Sequence, residues 1–460
     1  MKARSLGQFA ELVGGEVTAG MDQEPVRGAA VDTRKLEPGQ AFFAIKGART
    51  DGHDHCADAL AAGASCAVVT RGVDVAIPQI RVHTAEEALA TMARGLIAEW
   101  APTVLAITGS VGKTSVKGMI GRIASRRWST AVAPGNLNSE LGMPLAVANA
   151  DHDAELLVLE FAMRGQGQIR ELGQMVPPHV SVVTNVGVSH LEILGSRQAI
   201  AEAKREIYET TRPDGTACLP LDDDFSSFLR DGIRCAEISF GIDEAADVRG
   251  SEVRQTEEGT ALLIRHAGRS VQVHMPVPGA HHARNAVAAT AGALALGANL
   301  RDVVGGLDSF EPEPHRGQLI KAPGGFEIID DCYNASPESM RAALAVLEAR
   351  PCSGRRVAVL GDMLELGPVS EQAHLELGRE IERHGVYALV TVGERGELIA
   401  RGATEAPEPV ELIRHHPARD DASRWLRDFL DRGDVVLVKA SRGLELEHLI
   451  DSLTGGGGER

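Results

Sequence analysis

Val104-Leu105-Ala106-Ile107-Thr108-Gly109-Ser110-Val111-Gly112-Lys113-Thr114-Ser115 is the stretch on which the fold turns. An apolar run that ends at a glycine turn reads as a strand buried on both faces. A helical pattern follows from about residue 112 to 125. In such a turn the glycines let backbone N–H groups face phosphate oxygens, and the opening helix adds the favourable end of its dipole. Lys113 is spaced to bridge terminal phosphates, and the Thr114 hydroxyl to complete a Mg²⁺ shell. Gly109, Ser110, Val111, Gly112, Lys113, Thr114 and Ser115 are therefore the expected nucleotide-binding loop. The pattern is a shortened P-loop, because Ile107 stands where the full form has glycine.

Working outward, apolar runs at 156–160 and 180–186 alternate with a helical stretch at 196–210. Apolar strands separated by helices are the mark of a parallel sheet covered on both faces. Upstream, short apolar runs at 41–45 and 67–70 precede a helical pattern over 85–100, and the character changes at Ala101-Pro102. Downstream, Phe310-Glu311-Pro312-Glu313-Pro314 reads as a hinge. Strands at 326–329, 357–360, 388–392 and 435–438 then restart the βα pattern. The expected fold is a three-domain α/β chain. Residues 1–100 form a small α/β N-terminal domain, 101–311 a central P-loop-type parallel-sheet domain, and 312–460 a C-terminal Rossmann-like doubly wound domain. No fixed-period repeat is visible, and the tail from Gly455 to Gly458 is expected to fray.

Composition narrows the function classes. A net charge of −17 over 460 residues gives no bulk attraction for nucleic acid or anionic lipid. Aromatic residues are only 3%, which disfavours stacked-base platforms. The uncharged run Asn285 to Leu300 is too short and too Ala/Gly-rich to span a bilayer, and no secretory signal opens the chain. Six scattered cysteines without a C-x-x-C pair read as reduced thiols. A cytoplasmic multidomain protein, monomeric, without nucleic-acid partner or membrane insertion, is the expectation.

Ligands of open α/β sheets sit beyond the carboxyl ends of the strands. In the central block those ends carry the phosphate loop, then Glu160, then Asn185 with His190 close behind. Alone, Glu160 reads as well as a solvated strand end, and His190 as a structural hydrogen-bonder. Beside a triphosphate loop, a carboxylate becomes a natural oxygen ligand for Mg²⁺. In the last block the same edge carries Asp330-Asp331-Cys332-Tyr333-Asn334, Gly361-Asp362-Met363 and Lys439-Ala440-Ser441-Arg442. Two polar edges joined by a hinge imply a cleft that grips a substrate from both sides and excludes water on closing.

With these residues in view, the chain resembles the Mur ligase family. The motifs that carry the resemblance are Thr108–Thr114, Gly135-Asn136-Leu137-Asn138 with Gly142 and Pro144, Glu160, and Thr184-Asn185-Val186-Gly187. They continue with Ser189-His190-Leu191-Glu192, Lys204-Arg205-Glu206-Ile207, and Gly279-x-His281 with Asn285-Ala286. Asp330 to Pro337 and Leu360 to Gly367 are similar to the branch that adds D-alanyl-D-alanine, as are Asp32-Thr33-Arg34 and Asp51-Gly52-His53. Ser139, Ala162, His282, Ser336 and Ala440 depart from the usual pattern, but none removes a group that must carry charge or bind metal.

The resemblance implies a ligase that uses ATP to phosphorylate the terminal carboxylate of UDP-N-acetylmuramoyl-tripeptide. The amine of D-alanyl-D-alanine then attacks the acyl phosphate, giving a new C–N bond, ADP and phosphate. It implies catalytic roles for Lys113, Lys204 and His190, and metal ligation by Thr114, Glu160, His190 and Lys204, the last as a carbamylated lysine. Read from the sequence alone, Lys204 is as much a solvated lysine between Glu202 and Glu206 on a surface helix. By the same resemblance Asn285, Arg316 and Asp331 contact ATP. Thr33, Arg34 and Asp51 take the uridine end, while Asn136, Asn138, Tyr333, Asn334 and Ser441 face the other substrate groups. Arg34 and Asp362 also have plain structural readings, as an ion-pair partner and a loop cap. The competing readings are a sister ligase adding a diamino acid or glutamate to folate, a P-loop kinase or GTPase, and a silent binding protein. No Asn-Lys-x-Asp element supports a GTPase, and Lys113 and Lys204 are both present.

Overall fold

The computed structural model describes residues 1–19, 25–242, 245–256 and 258–455; residues 456–458 of the expected frayed tail lie outside them. Three sheets follow one another along the chain. The first has five strands in the order Glu16–Ala19, Gln79–Arg81, Cys66–Val69, Gln40–Phe43, Gly28–Ala30. Only its Glu16–Ala19 edge runs antiparallel.

The central sheet has nine strands. From one edge they run Thr130–Val132, Leu156–Glu160, Thr103–Thr108, Val180–Val183, Thr216–Pro220, Ala236–Ile242, Val248–Gln255, Thr260–His266, Arg269–Met275. The first seven are parallel and the last two add antiparallel pairings, an extension that the apolar-run pattern did not announce. Its central strands alternate between two cores: Val104 and Ala106 pack on one side, Leu105 and Ile107 on the other. This is why the run reads as continuously apolar: both faces are covered. The helix after the loop spans Lys113–Ala124, and Ser196 caps the helix Arg197–Thr210 by accepting from Ala199 N at 3.1 Å. The strand expected over 180–186 stops at Val183, because Thr184 and Asn185 turn to bind the phosphate loop.

The C-terminal sheet has six strands in the order Gln318–Lys321, Glu327–Asp330, Val435–Lys439, Arg356–Gly361, Ala388–Val392, Leu412–His416. All are parallel except Gln318–Lys321.

The cores show how the lobes are joined. One apolar cluster runs without a break from Leu6 and Phe9 of the first lobe through the helices Ala85–Trp100 and Gly142–Asn149 into the central sheet. Asn149 seals the seam: its amide donates to Ala29 O at 2.8 Å and its oxygen accepts from Ala29 N at 3.0 Å. The C-terminal lobe instead keeps two clusters of its own, one on each face of its sheet.

The proline-rich segment between the central and C-terminal lobes carries no helix or strand, yet it is fastened. Phe310 is buried in the central core. Glu313 lies 3.0 Å from the ammonium of Lys117, whose side chain is 1% exposed and also donates to Gly135 O at 2.9 Å. Arg122 meets Glu311 at 3.1 Å on the surface. Removing a partner from a buried pair strands the other charge, whereas exposed pairs contribute little. Glu313→Ala should therefore lower stability by about 1–3 kcal/mol, read as a lower urea midpoint, and Glu311→Ala by less than about 1 kcal/mol. Equal midpoints for the two variants would mean that Lys117 does not anchor the segment.

Candidate functional site

The phosphate loop is shaped by close backbone approaches. Gly109 has φ 151° and Gly112 φ 83°, and a Cβ on Gly109 would fall 1.8 Å from Thr184 Oγ1. A Cβ on Gly112 would lie 2.4 Å from Asn285 Oδ1, so these two turns take only glycine. The next strand end holds the loop from beneath. Asn185 accepts from Val111 N at 3.1 Å and donates to Val111 O at 2.9 Å, and the Thr184 hydroxyl donates to the same carbonyl at 2.7 Å. Ser110 N donates to Asn185 O, and the Ser110 hydroxyl accepts from Gly187 N at 2.8 Å. Asn185 therefore shapes the loop.

Glu160 ends its strand with a side chain that is almost wholly buried. One carboxylate oxygen accepts from the Thr114 hydroxyl and the other from the Asn138 amide, each at 2.8 Å. Lys113 donates to Gly109 O at 2.8 Å and to Ser110 O at 3.3 Å. Burial lowers the pKa of its ammonium and the Arg316 charge adds to that, while Glu160 opposes both. A hydroxyl and a carboxylate side by side at a helix N-terminus are a set of hard oxygen donors, which fits Mg²⁺ and not a soft metal.

Lys204 lies on the inner face of the helix Arg197–Thr210 and is 1% exposed. The surface-helix reading fails because Glu206 is turned elsewhere. Its carboxylate accepts from Gly167 N at 2.7 Å and Arg170 N at 3.0 Å, capping the helix Gln168–Met175. Among the described residues no hydrogen bond or ion pair reaches the Lys204 amine. Burial, with the Lys113 charge adding to it, pushes that amine well below its usual pKa; Asp223 pulls the other way. His190 sits in the left-handed region at φ 67°, and its Nδ1 lies 2.9 Å from Glu365 of the C-terminal lobe. An imidazole at this place can meet a cation through a ring nitrogen.

From the C-terminal side, Arg316 stacks on Tyr333 with its guanidinium carbon 4.0 Å from the ring centroid, and Arg442 approaches the same ring at 5.8 Å. Asp331 accepts from the buried Lys439 ammonium at 2.6 Å, and Lys439 also donates to Asn334 O at 3.0 Å. Asn334 is exposed. Ser441 is buried, its hydroxyl oxygen accepting from Leu364 N at 2.9 Å. Asp362 is a cap, accepting from Gly396 N at 2.8 Å at the start of the helix Gly396–Thr404.

Asn285 stands in a recess with Asp222, Asp223, Phe240 and Arg284, directly beside Gly112. The first-lobe residues lie apart from this cluster. Asp51 accepts from His53 N at 3.0 Å, from the His53 ring at 2.6 Å and from Arg71 at 3.3 Å, and these contacts, the backbone one first, hold it below the usual carboxylate range. Arg34 is exposed and forks onto Asp32 at 2.9 and 2.7 Å, as its structural reading had it. Thr33 opens the same short turn, and Asn136 is exposed on the loop that leads to Asn138.

Four further residues matter that the motif reading left without a role. Lys439 closes an otherwise apolar strand, a signal the sequence did carry. Glu365 falls inside a quoted motif, but its partner in another lobe is invisible to spacing. Asp223 follows the strand Thr216–Pro220 and accepts from Val186 N at 2.8 Å. Lys117 lies one turn beyond Lys113, where it reads as a surface lysine.

Models of known families match in three consecutive segments: the Mur ligase family catalytic domain over 25–106, the Mur ligase middle domain over 107–293, and the Mur ligase glutamate ligase domain over 315–442. The UDP-N-acetylmuramoyl-tripeptide–D-alanyl-D-alanine ligase of Bacillus subtilis is 34% identical, over 98% of this chain and 99% of its own. A crystal structure of MurF from Acinetobacter baumannii superposes with a TM-score of 0.88 at 33% identity, covering 99% of both chains. MurF from Thermotoga maritima, in complex with ADP, superposes at 0.80 with 28% identity over 94% of this chain and 97% of its own. The loop, the buried strand-end carboxylate and the three successive sheets thus occur together in a chain that belongs to the Mur ligase family.

Proposed function

We propose that this chain joins D-alanyl-D-alanine to UDP-N-acetylmuramoyl-tripeptide at the expense of ATP, through an acyl phosphate, in the cytoplasmic synthesis of peptidoglycan precursors. The observation that carries the reading is Glu160, fixed between Thr114 and Asn138 beside Lys113 at the mouth of the phosphate loop. The full-length likeness to ligases of that name supports the choice of substrates.

A carboxylate attacking a triphosphate brings several negative charges together, so catalysis is mostly neutralisation and positioning. The N–H groups of residues 109–115 cradle the phosphates, Lys113 moves from the loop carbonyls onto them, and Arg316 approaches from the other lobe. Thr114 and Glu160 would hold Mg²⁺ and His190 would sit beside a second ion, whose charge would screen the nucleotide and the acceptor carboxylate. The acceptor oxygen attacks the γ-phosphorus and ADP leaves. The dipeptide amine then attacks the carbonyl carbon, loses its proton, and expels phosphate. Asn285 and Asp331 hold adenosine; Tyr333, Asn334 and Ser441 face the dipeptide. Thr33, Arg34 and Asp51 take the uridine end, and Asn136 and Asn138 the acceptor. On this reading residues 1–100, 101–311 and 312–460 divide the three substrates among them.

Lys204 supplies the remaining ligand as a carbamate. Burial and the Lys113 charge disfavour the ammonium form of Lys204, and it is the neutral amine that adds CO₂, forming an N–C bond and releasing a proton; the product would be an anionic oxygen donor instead of a cation that would repel metal.

Lys113→Ala should lower turnover by roughly 10³-fold or more, since no other group supplies its charge at that point; near-normal phosphate release would refute the loop assignment. Lys204→Ala should be inactive and partly restored by a short carboxylic acid, whereas full activity without the acid excludes the carbamate. Phosphate release with UDP-muramoyl-tripeptide should depend on D-alanyl-D-alanine, and equal turnover with single amino acids would move the assignment to a sister ligase.

A further inference from the structure

Next to Arg316 and Asp331, and among the described residues, one group of side chains has the composition of a soft-metal centre: His315, Asp330 and Cys332. Their ligand atoms all lie within 4.8 Å of one another. Asp330 and Cys332 are each 1% exposed, while the His315 side chain is 31% exposed and leaves a way in. The backbone fixes the group before any ion arrives. Gly317 N donates to Asp330 O at 2.8 Å and Tyr333 N to His315 O at 3.1 Å, so the two segments are laced together across the site. His315 is held at φ 64°, in the left-handed region. Its Nδ1 meets Asp330 at 2.8 Å.

Asp330 is a buried carboxylate whose one ion-pair partner among the described residues is His315, while the neighbouring Asp331 and Glu447 are paired with Lys439 and Arg442. The second carboxylate oxygen of Glu447 is buried without a hydrogen-bond partner. A divalent cation would take over the neutralisation of Asp330 from the partly exposed imidazole.

We propose that His315, Asp330 and Cys332 form a binding site for a soft divalent cation of the zinc type, distinct from the hard-cation site at Thr114 and Glu160. Sulphur and imidazole select such an ion over Mg²⁺, which prefers oxygen alone. Three protein ligands leave a fourth position for water. On binding, the Cys332 thiol gives its proton to solvent and a metal–sulphur bond forms, with no change of oxidation state. Because Arg316 and Tyr333 flank the ligands in sequence, occupancy would lock those two side chains in place.

Cobalt(II) is the probe, added to the chelator-treated full-length protein in millimolar magnesium. The wild type should show a sulphur-to-cobalt charge-transfer band that zinc abolishes by displacement. Cys332→Ser should lose the band, and His315→Ala should weaken cobalt binding by about tenfold or more while keeping it. A control, Cys56→Ser, should leave both unchanged. No band in the wild type, an undiminished band in Cys332→Ser, or unaltered affinity in His315→Ala overturns the site. The partly exposed His315 position keeps the test decisive should the buried cysteine variant fold poorly.

Discussion

A carboxylate that is almost wholly buried has to be paid for, and Glu160 sets the terms on which the centre of this molecule is built. Its two oxygens are satisfied from two directions, by the first turn of the loop helix and by the Asn138 segment. Those hydrogen bonds tie the loop helix and the Asn138 segment to one strand end. Lys113 lies within electrostatic reach and offsets part of the burial cost. The Thr114 hydroxyl that stabilises the carboxylate is, together with it, an oxygen donor a hard cation uses, so fold and chemistry share one solution.

The three lobes are not joined alike. The first lobe is continuous with the central one through apolar packing, and Asn149 stitches the strand Gly28–Ala30 to it. The C-terminal lobe has complete cores of its own and reaches the central lobe by polar contacts, above all Glu365 on His190. Apolar seams resist sliding, whereas ion pairs re-form in new partnerships at small cost. The first two lobes are thus packed as one body and the C-terminal lobe as another.

Much of this was legible in the sequence, and the reasons are physical. The runs at 104–108 and 156–160 are apolar at every position because both faces of the sheet are covered, so their strands stand out. The loop was legible because phosphate geometry needs glycine at Gly109 and Gly112 and a lysine directly after. The antiparallel strands from 248 to 275 were not, because their partly exposed patterns carry polar residues on one face and no continuous run. Nor was the surface-helix alternative for Lys204 excluded by spacing: only the turn of Glu206 toward the backbone at Gly167 and Arg170 removes it. Partners from distant segments, such as Lys439 with Asp331, follow from topology and not from local pattern.

The fastening of the proline-rich segment has a mechanical corollary. Glu311 and Glu313 are both moored to the loop helix, so the chain is still part of the central body when it reaches residue 313. By His315 it is already tied to the following sheet, its carbonyl accepting from Tyr333 N and its ring meeting Asp330. Any swing of the last lobe must then be absorbed at Pro314 and the bonds on either side of it. A pivot that short makes a stiff elbow: it permits rotation about nearly a point, allows almost no drift along the axis, and returns Arg316 to the same spot at every stroke.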